Sequence, residues 1–211
     1  IKTKMTVFTW DGDKEMEMTP LDSIRYYKHF LQTGMMAMEP QTGQVKVWVG
    51  GMDYRYFQYD HVGQGARQVG STFKPFVYAT AIEQLGMSPC DTIIDGPFMI
   101  RKGKHNVTED WEPRNSDGKY RGIVTLKKAL ANSINTVSAK LIDKTGPDAV
   151  ISLMRKLGVN SEIPSQPSIA LGAVDITVKD MVAAYSTFAN EGIYIKPQVI
   201  AKITDKNGNV I

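Results

Sequence analysis

Between Gly70 and Gly86 the apolar or small side chains Phe73, Phe76, Val77, Thr80, Ala81 and Leu85 recur at helical spacing. A helix with so broad an apolar surface has to be enclosed by the rest of the fold. Gly86 supplies the stop, because glycine tolerates the left-handed backbone that closes a helix. Helical patterning resumes downstream. Thr125 is a candidate N-cap for Leu126 to Asn132, a second helix spans about Thr136 to Lys144, and a third runs from Pro147 to Leu157, ending at Gly158. A fourth, Val178 to Asn190, follows Thr177 and closes before Gly192.

Strand-like runs gather ahead of the first helix. Gly34 to Met38 and Gln44 to Gly50 flank the turn-forming Glu39-Pro40-Gln41-Thr42-Gly43, which predicts a hairpin burying Met36, Met38, Val45 and Val47 or their alternates. Residues 1–30 alternate around the charged turn Asp11-Gly12-Asp13-Lys14 and read as a short strand pair in a leading linker or pedestal. Residues 87–124, rich in Gly, Pro, Asn and Asp, read as long connections with room for one short strand. The tail predicts a strand over Gln198 to Thr204, then an Asn-Gly hairpin turn.

Composition narrows the function classes. With 42% hydrophobic and 22% charged residues the chain is an ordinary folded domain rather than a disordered one. The net charge of +3 is spread along the chain, without the basic stripe that nucleic-acid binding needs. Cys90 is the only cysteine, which excludes an intramolecular disulfide and a Cys-rich zinc site; it reads as a packed or partly buried thiol. His29, His61 and His105 lack metal-ligand spacing, and Met35, Met36 and Met38 read as core filling. Of two roles for Tyr54, Tyr56, Phe57 and Tyr59, packing is favoured over lining a cleft. No apolar run of spanning length or signal peptide is present, and the ends at Ile1 and Ile211 fall in mid-pattern, as in an excised piece.

Ser71 and Lys74 form a Ser-x-x-Lys pair in Gly70-Ser71-Thr72-Phe73-Lys74-Pro75. About one such match arises by chance in a chain of this size, so placement decides its value. Ser71 stands at the head of the buried helix, where free N–H groups and the helix dipole favour developing negative charge, and Lys74 follows on the same face. An amine buried near Phe73, Phe76 and Tyr78 loses its charge more readily and can take the serine proton, the chemistry of covalent acyl transfer. The pair taken alone more often means an N-cap serine followed by a solvated lysine. Ser133-Ile134-Asn135 falls between two predicted helices, where a break presents both polar side chains to a neighbouring cleft.

Together with Leu171 to Val178 and Ala184 to Asn190, these two motifs resemble the transpeptidase domain of bifunctional, class A penicillin-binding proteins, in the superfamily of serine β-lactamases and DD-peptidases. The resemblance runs from about Met35 to the end. It implies an α+β fold of the β-lactamase/transpeptidase type, a helical subdomain plus an antiparallel sheet left incomplete. Residues 1–33 are then the linker or pedestal, and 34–211 the N-terminal part of the transpeptidase domain. Ser71 looks like the nucleophile that attacks the D-Ala-D-Ala carbonyl of a peptidoglycan stem peptide or a β-lactam ring, and Lys74 like its base. Ser133 is similar to the hydroxyl that relays a proton between Lys74 and the leaving amine, and Asn135 to the residue that binds the substrate amide. No cofactor, metal or nucleic acid is implied. The family's bifunctional members work at the outer, periplasmic face of the bacterial inner membrane, with a membrane anchor and a glycosyltransferase domain upstream. Trp111, between the two motifs, is a candidate border of the substrate groove.

The family's third motif is Lys-Thr-Gly on a strand. Lys144-Thr145-Gly146 has the letters, but Gly146-Pro147 is the composition of a helix end, so the true motif is expected beyond Ile211. Its strand supplies an oxyanion-hole N–H. Loss of one such donor costs on the order of 10² to 10³ in rate, so this chain alone is expected to turn over little substrate. Two rival readings stay open. A class A β-lactamase would carry Asp where Ile134 stands and a Glu-x-x-x-Asn loop, whereas Glu162 is followed by Gln166. A β-lactam sensor or wall-binding module on the same fold would keep the acylating residues.

Overall fold

The computed structural model describes residues 1–211. Thr3–Val7 (β1) pairs antiparallel with Lys14–Met18 (β2), Thr3 lying opposite Met18. Pro20–Lys28 (α1) follows, opened by a capping box in which the Thr19 hydroxyl accepts the Asp22 N–H and the Asp22 carboxylate accepts the Thr19 N–H. This leading segment is held by aromatic packing. The Phe8 ring lies 5.2 Å from that of Phe30 and 5.4 Å from that of Phe57, and Tyr56 stacks on Tyr27 at 6.3 Å. Packing is thus the role of Tyr56 and Phe57, while Tyr54 and Tyr59 are exposed.

Met35–Met38 (β3) and Val45–Val49 (β4) form the expected hairpin, with a register shift between Ala37 and Met38. Only Met36 is fully buried there; Met35 is 57% exposed rather than core filling. Ala66–Gln68 (β5) leads to a 3-10 turn, Gly70–Phe73, and then to Lys74–Leu85 (α2), closed by Gly86 at φ 63°. The α-helix therefore starts three residues later than the pattern predicts. Pro75 has no N–H to give the Ser71 carbonyl, and the Lys74 N–H bonds it instead, which winds the first turn more tightly.

Residues 87–124 hold two strands where one was expected. Thr92–Asp95 (β6) pairs antiparallel with Gly122–Thr125 (β7), Thr92 opposite Thr125. Cys90 is exposed, not packed, because it occupies the turn Ser88–Asp91, where its N–H bonds the Ser88 hydroxyl at 3.2 Å. Leu126–Ala131 (α3), Asn135–Thr145 (α4) and Pro147–Lys156 (α5) follow, and Thr125 caps α3 as expected. A 3-10 turn, Pro167–Leu171, precedes Asp175–Thr177 (β8) and Val178–Ala189 (α6), which Thr177 caps. β8 pairs antiparallel with β5, giving four separate two-stranded ladders.

α2 is the axis of the core. Phe76, Val77 and Ala81 are sealed by Val137 and Leu141 of α4 and by Val150 and Met154 of α5. Each fully buried large side chain contributes roughly 1.5–3 kcal/mol relative to exposure. The tail departs from its expected strand. Gln198 bridges in parallel to Gln44, its carbonyl accepting the Val45 N–H at 2.9 Å, and the Asp205–Asn209 turn forms with only the single bridge Thr204–Val210 beside it. Asp205 accepts the N–H groups of Asn207 and Asn209, so local bonds close the turn without a strand pair.

Candidate active site

Ser71 is exposed, one residue after Gly70, which takes φ 57°. Two backbone bonds extend the β5–β8 ladder to that point: Val69 N–H to Val174 O at 3.0 Å and Gly70 N–H to Gly172 O at 3.1 Å. A Cβ on Gly172 would lie 1.8 Å from the Gly70 carbonyl oxygen, so the turn presenting Ser71 nests on a position that only glycine can fill. The Tyr185 hydroxyl adds a bond to Thr72 O at 2.6 Å.

Lys74 stands one 3-10 turn further and is only 1% exposed. Its ammonium donates to Ser133 O at 2.7 Å, Ser133 Oγ at 2.9 Å and Asn135 Oδ1 at 2.6 Å. These three bonds use all three hydrogens, and Ser71 is not among the acceptors. Burial pulls the amine from its ordinary value down to about 8.

The break between α3 and α4 is a Schellman motif. Ser133 N–H bonds Leu130 O at 2.9 Å and Ile134 N–H bonds Ala129 O at 3.0 Å, with Ser133 at φ 52°. The left-handed position that glycine normally takes is held by a serine, and the turn aims both its carbonyl and its hydroxyl at Lys74. The buried Ile134 side chain anchors the turn. Asn135 opens α4, and its side-chain N–H donates to Arg114 O at 2.9 Å, which turns Oδ1 toward Lys74.

Lys74, Ser133 and Asn135 are thus joined by direct hydrogen bonds, with Ser71 displayed at the surface on the preceding turn. Lys144, Thr145 and Gly146 close α4, with the Thr145 hydroxyl bonded to Leu141 O at 3.2 Å. Trp111 is paired with Ile100 through two 2.9 Å backbone bonds and borders a cavity of about 230 Å³ with Gln166 and Ser168. The sequence assigned no individual role to Gly172 and Tyr185, which lie within the segments that carry the resemblance, nor to Asn115 and Asp95. Asn115 accepts the N–H groups of Asn135 and Thr136 at 3.0 and 3.2 Å. Its one signal in the sequence is an Asn directly after Pro113-Arg114, in a stretch that reads only as loop.

Comparison with known proteins matches residues 33–211 to the penicillin binding protein transpeptidase domain and residues 1–31 to the penicillin-binding protein middle domain. Penicillin-binding protein 1A of Aquifex aeolicus is 40% identical over 184 residues, which are 86% of this chain and 24% of that protein. The same-named protein of Neisseria meningitidis is 38% identical over 181 residues, 85% of this chain and 22% of its own length. The chain therefore spans about a quarter of the length of these relatives. Penicillin-binding protein 1A of Haemophilus influenzae superposes with a TM-score of 0.77 at 30% identity, over 85% of this chain and 26% of that one. PonA1 of Mycobacterium tuberculosis in complex with penicillin V gives 0.72 at 26%, over 90% and 53%. The architecture is the α+β arrangement of these transpeptidase domains, and the chain belongs to the penicillin-binding protein transpeptidase family.

Proposed function

We propose that the chain is part of a peptidoglycan DD-transpeptidase in which Ser71 is the nucleophile, Lys74 its base, Ser133 the proton relay and Asn135 the binder of the substrate amide. The observation that carries this is the buried Lys74 amine, held by both polar residues of the second motif one turn from an exposed serine. Once Nζ loses a proton it keeps two hydrogens for Ser133 and Asn135 and gains a lone pair for the Ser71 hydroxyl hydrogen. Ser71 Oγ then bonds the D-Ala carbonyl carbon, the C–N bond breaks, and the proton passes through Ser133 Oγ to the departing amine. An incoming stem-peptide amine resolves the ester by the reverse transfers. A β-lactam carbonyl enters by the same first step.

Family membership supports the further proposal that the protein acts at the periplasmic face of the inner membrane, anchored there behind a glycosyltransferase domain. Intact-mass measurement after incubation with benzylpenicillin tests the chemistry, on this chain and on the full-length gene product. One adduct on Ser71, lost in Ser71→Ala, is expected. An unmodified full-length protein refutes the assignment.

A further inference from the structure

Asp95 ends β6 with a side chain fully withdrawn from solvent, in a position the proposed chemistry leaves unused. Burial alone would raise its carboxyl. Hydrogen bonds from Thr136, Asn115 and the Arg121 N–H, with the Arg121 guanidinium 3.7 Å away, reverse that and hold it below the usual carboxylate range. Its Oδ1 accepts from Asn115 Nδ2 at 2.8 Å and Thr136 Oγ1 at 2.6 Å, and its Oδ2 accepts the Arg121 N–H at 2.9 Å. Asn115 is therefore bonded on both sides. Its amide hydrogens go to Asp95 and to Lys119 O at 2.8 Å, and its oxygen takes the first two N–H groups of α4.

α4 has no cap of its own, because the residue at its N-cap is Ile134. Asn115 supplies one from a distant loop, and its neighbour Arg114 takes the Asn135 side-chain amide. The dipeptide thus grips Asn135 at its backbone and at its side chain.

We propose that Asn115, fixed by Asp95, is a positioning residue that sets the orientation of Asn135 and through it the placement of the Lys74 amine. This rests on the roles of Lys74 and Asn135 given above. Releasing Asn135 would remove one of three acceptors around Nζ, which favours the uncharged amine while leaving it poorly placed.

The test compares wild type, Asn115→Ala, Asp95→Asn and a control, Thr125→Ala, which removes the cap of α3 without touching Asn135. Amide hydrogen exchange at Asn135 and Thr136 and the NMR titration of the Lys74 side chain are read on this chain. Benzylpenicillin acylation is read on the full-length gene product. Asn115→Ala should lose exchange protection at Asn135 and Thr136, lower the Lys74 midpoint, and slow acylation about 10- to 100-fold. Asp95→Asn, isosteric and able to fold where the alanine variant does not, should do the same to a smaller extent. Thr125→Ala should change neither titration nor acylation. An unaltered Lys74 midpoint and acylation rate in Asp95→Asn overturns the proposal, as does an equal shift in Thr125→Ala. A wild-type protein that is never acylated sinks the transpeptidase assignment instead, and the exchange and titration readings still decide the brace.

Discussion

Ser133 holds a left-handed backbone that glycine adopts freely, and the strain is what aims its carbonyl and hydroxyl together at Lys74. Ser133→Gly should relieve about 1 kcal/mol of that strain but leave one hydrogen of the buried Lys74 ammonium without its hydroxyl acceptor, which costs roughly 1–3 kcal/mol, so stability should not rise. It should also slow acylation by about 10²-fold if Ser133 is the proposed proton relay, since its hydroxyl is gone. Thermal melts and acylation rates on the same preparation check both, and a clearly stabilised or fully active variant contradicts the assignment. Lys74 imposes a pH dependence of its own. With its folded value at about 8, below the ordinary lysine value of about 10.4, the folded chain binds fewer protons than the unfolded chain between those limits. Stability should rise with pH across that window, and acylation should rise through about pH 8 as the free amine forms. Replacement by methionine should remove the stability slope along with the activity. Of the candidate site, the placing of Ser71 and Lys74 at a helix head and of Ser133 and Asn135 at a helix break was legible from local pattern, while the roles proposed for them come from the family resemblance. Asn115 and Asp95 were not, because an Asn in a loop and an Asp at a strand end reveal their partners only once the chain has folded.

At the scale of elements, the turn carrying Ser71 depends on the end of the 3-10 turn Pro167–Leu171, about a hundred residues away. Gly172, at φ 76°, meets the Gly70 carbonyl so closely that any side chain must push the two segments apart. Gly172→Ala should cost at least about 2 kcal/mol and lower acylation, whereas Gly103→Ala, at φ 87° in open space, should cost only its backbone strain of about 1 kcal/mol and leave acylation unchanged. Chemical denaturation and acylation of the two variants separate close packing from simple left-handed strain. α3, α5 and α6 were readable from their caps and periodicity. β5 and β8, three residues each, were not: strands so short have no alternation of their own and exist because they pair with each other.

Across the whole molecule, the enclosed α2 predicted from its apolar girth is what holds the site at the surface. The core grips the chain from Phe73 onward and leaves only Ser71 and Thr72 of the tight turn ahead of α2 exposed. The N-terminal hairpin and α1 attach through the aromatic cluster around Phe8 and through Arg55, paired with Asp13 at 3.2 Å, rather than through the main core. By itself the sequence determined the helices, the hairpin at β3 and β4, and which four polar residues stand at element ends, since periodicity, caps and turn residues act over a few neighbours along the chain. Only the tertiary structure decided that Lys74 spends its hydrogens on Ser133 and Asn135, that Asn115 caps α4, and that Gly172 seats Gly70. Those contacts join residues tens to a hundred positions apart, and their geometry exists only after burial has removed water as the competing partner.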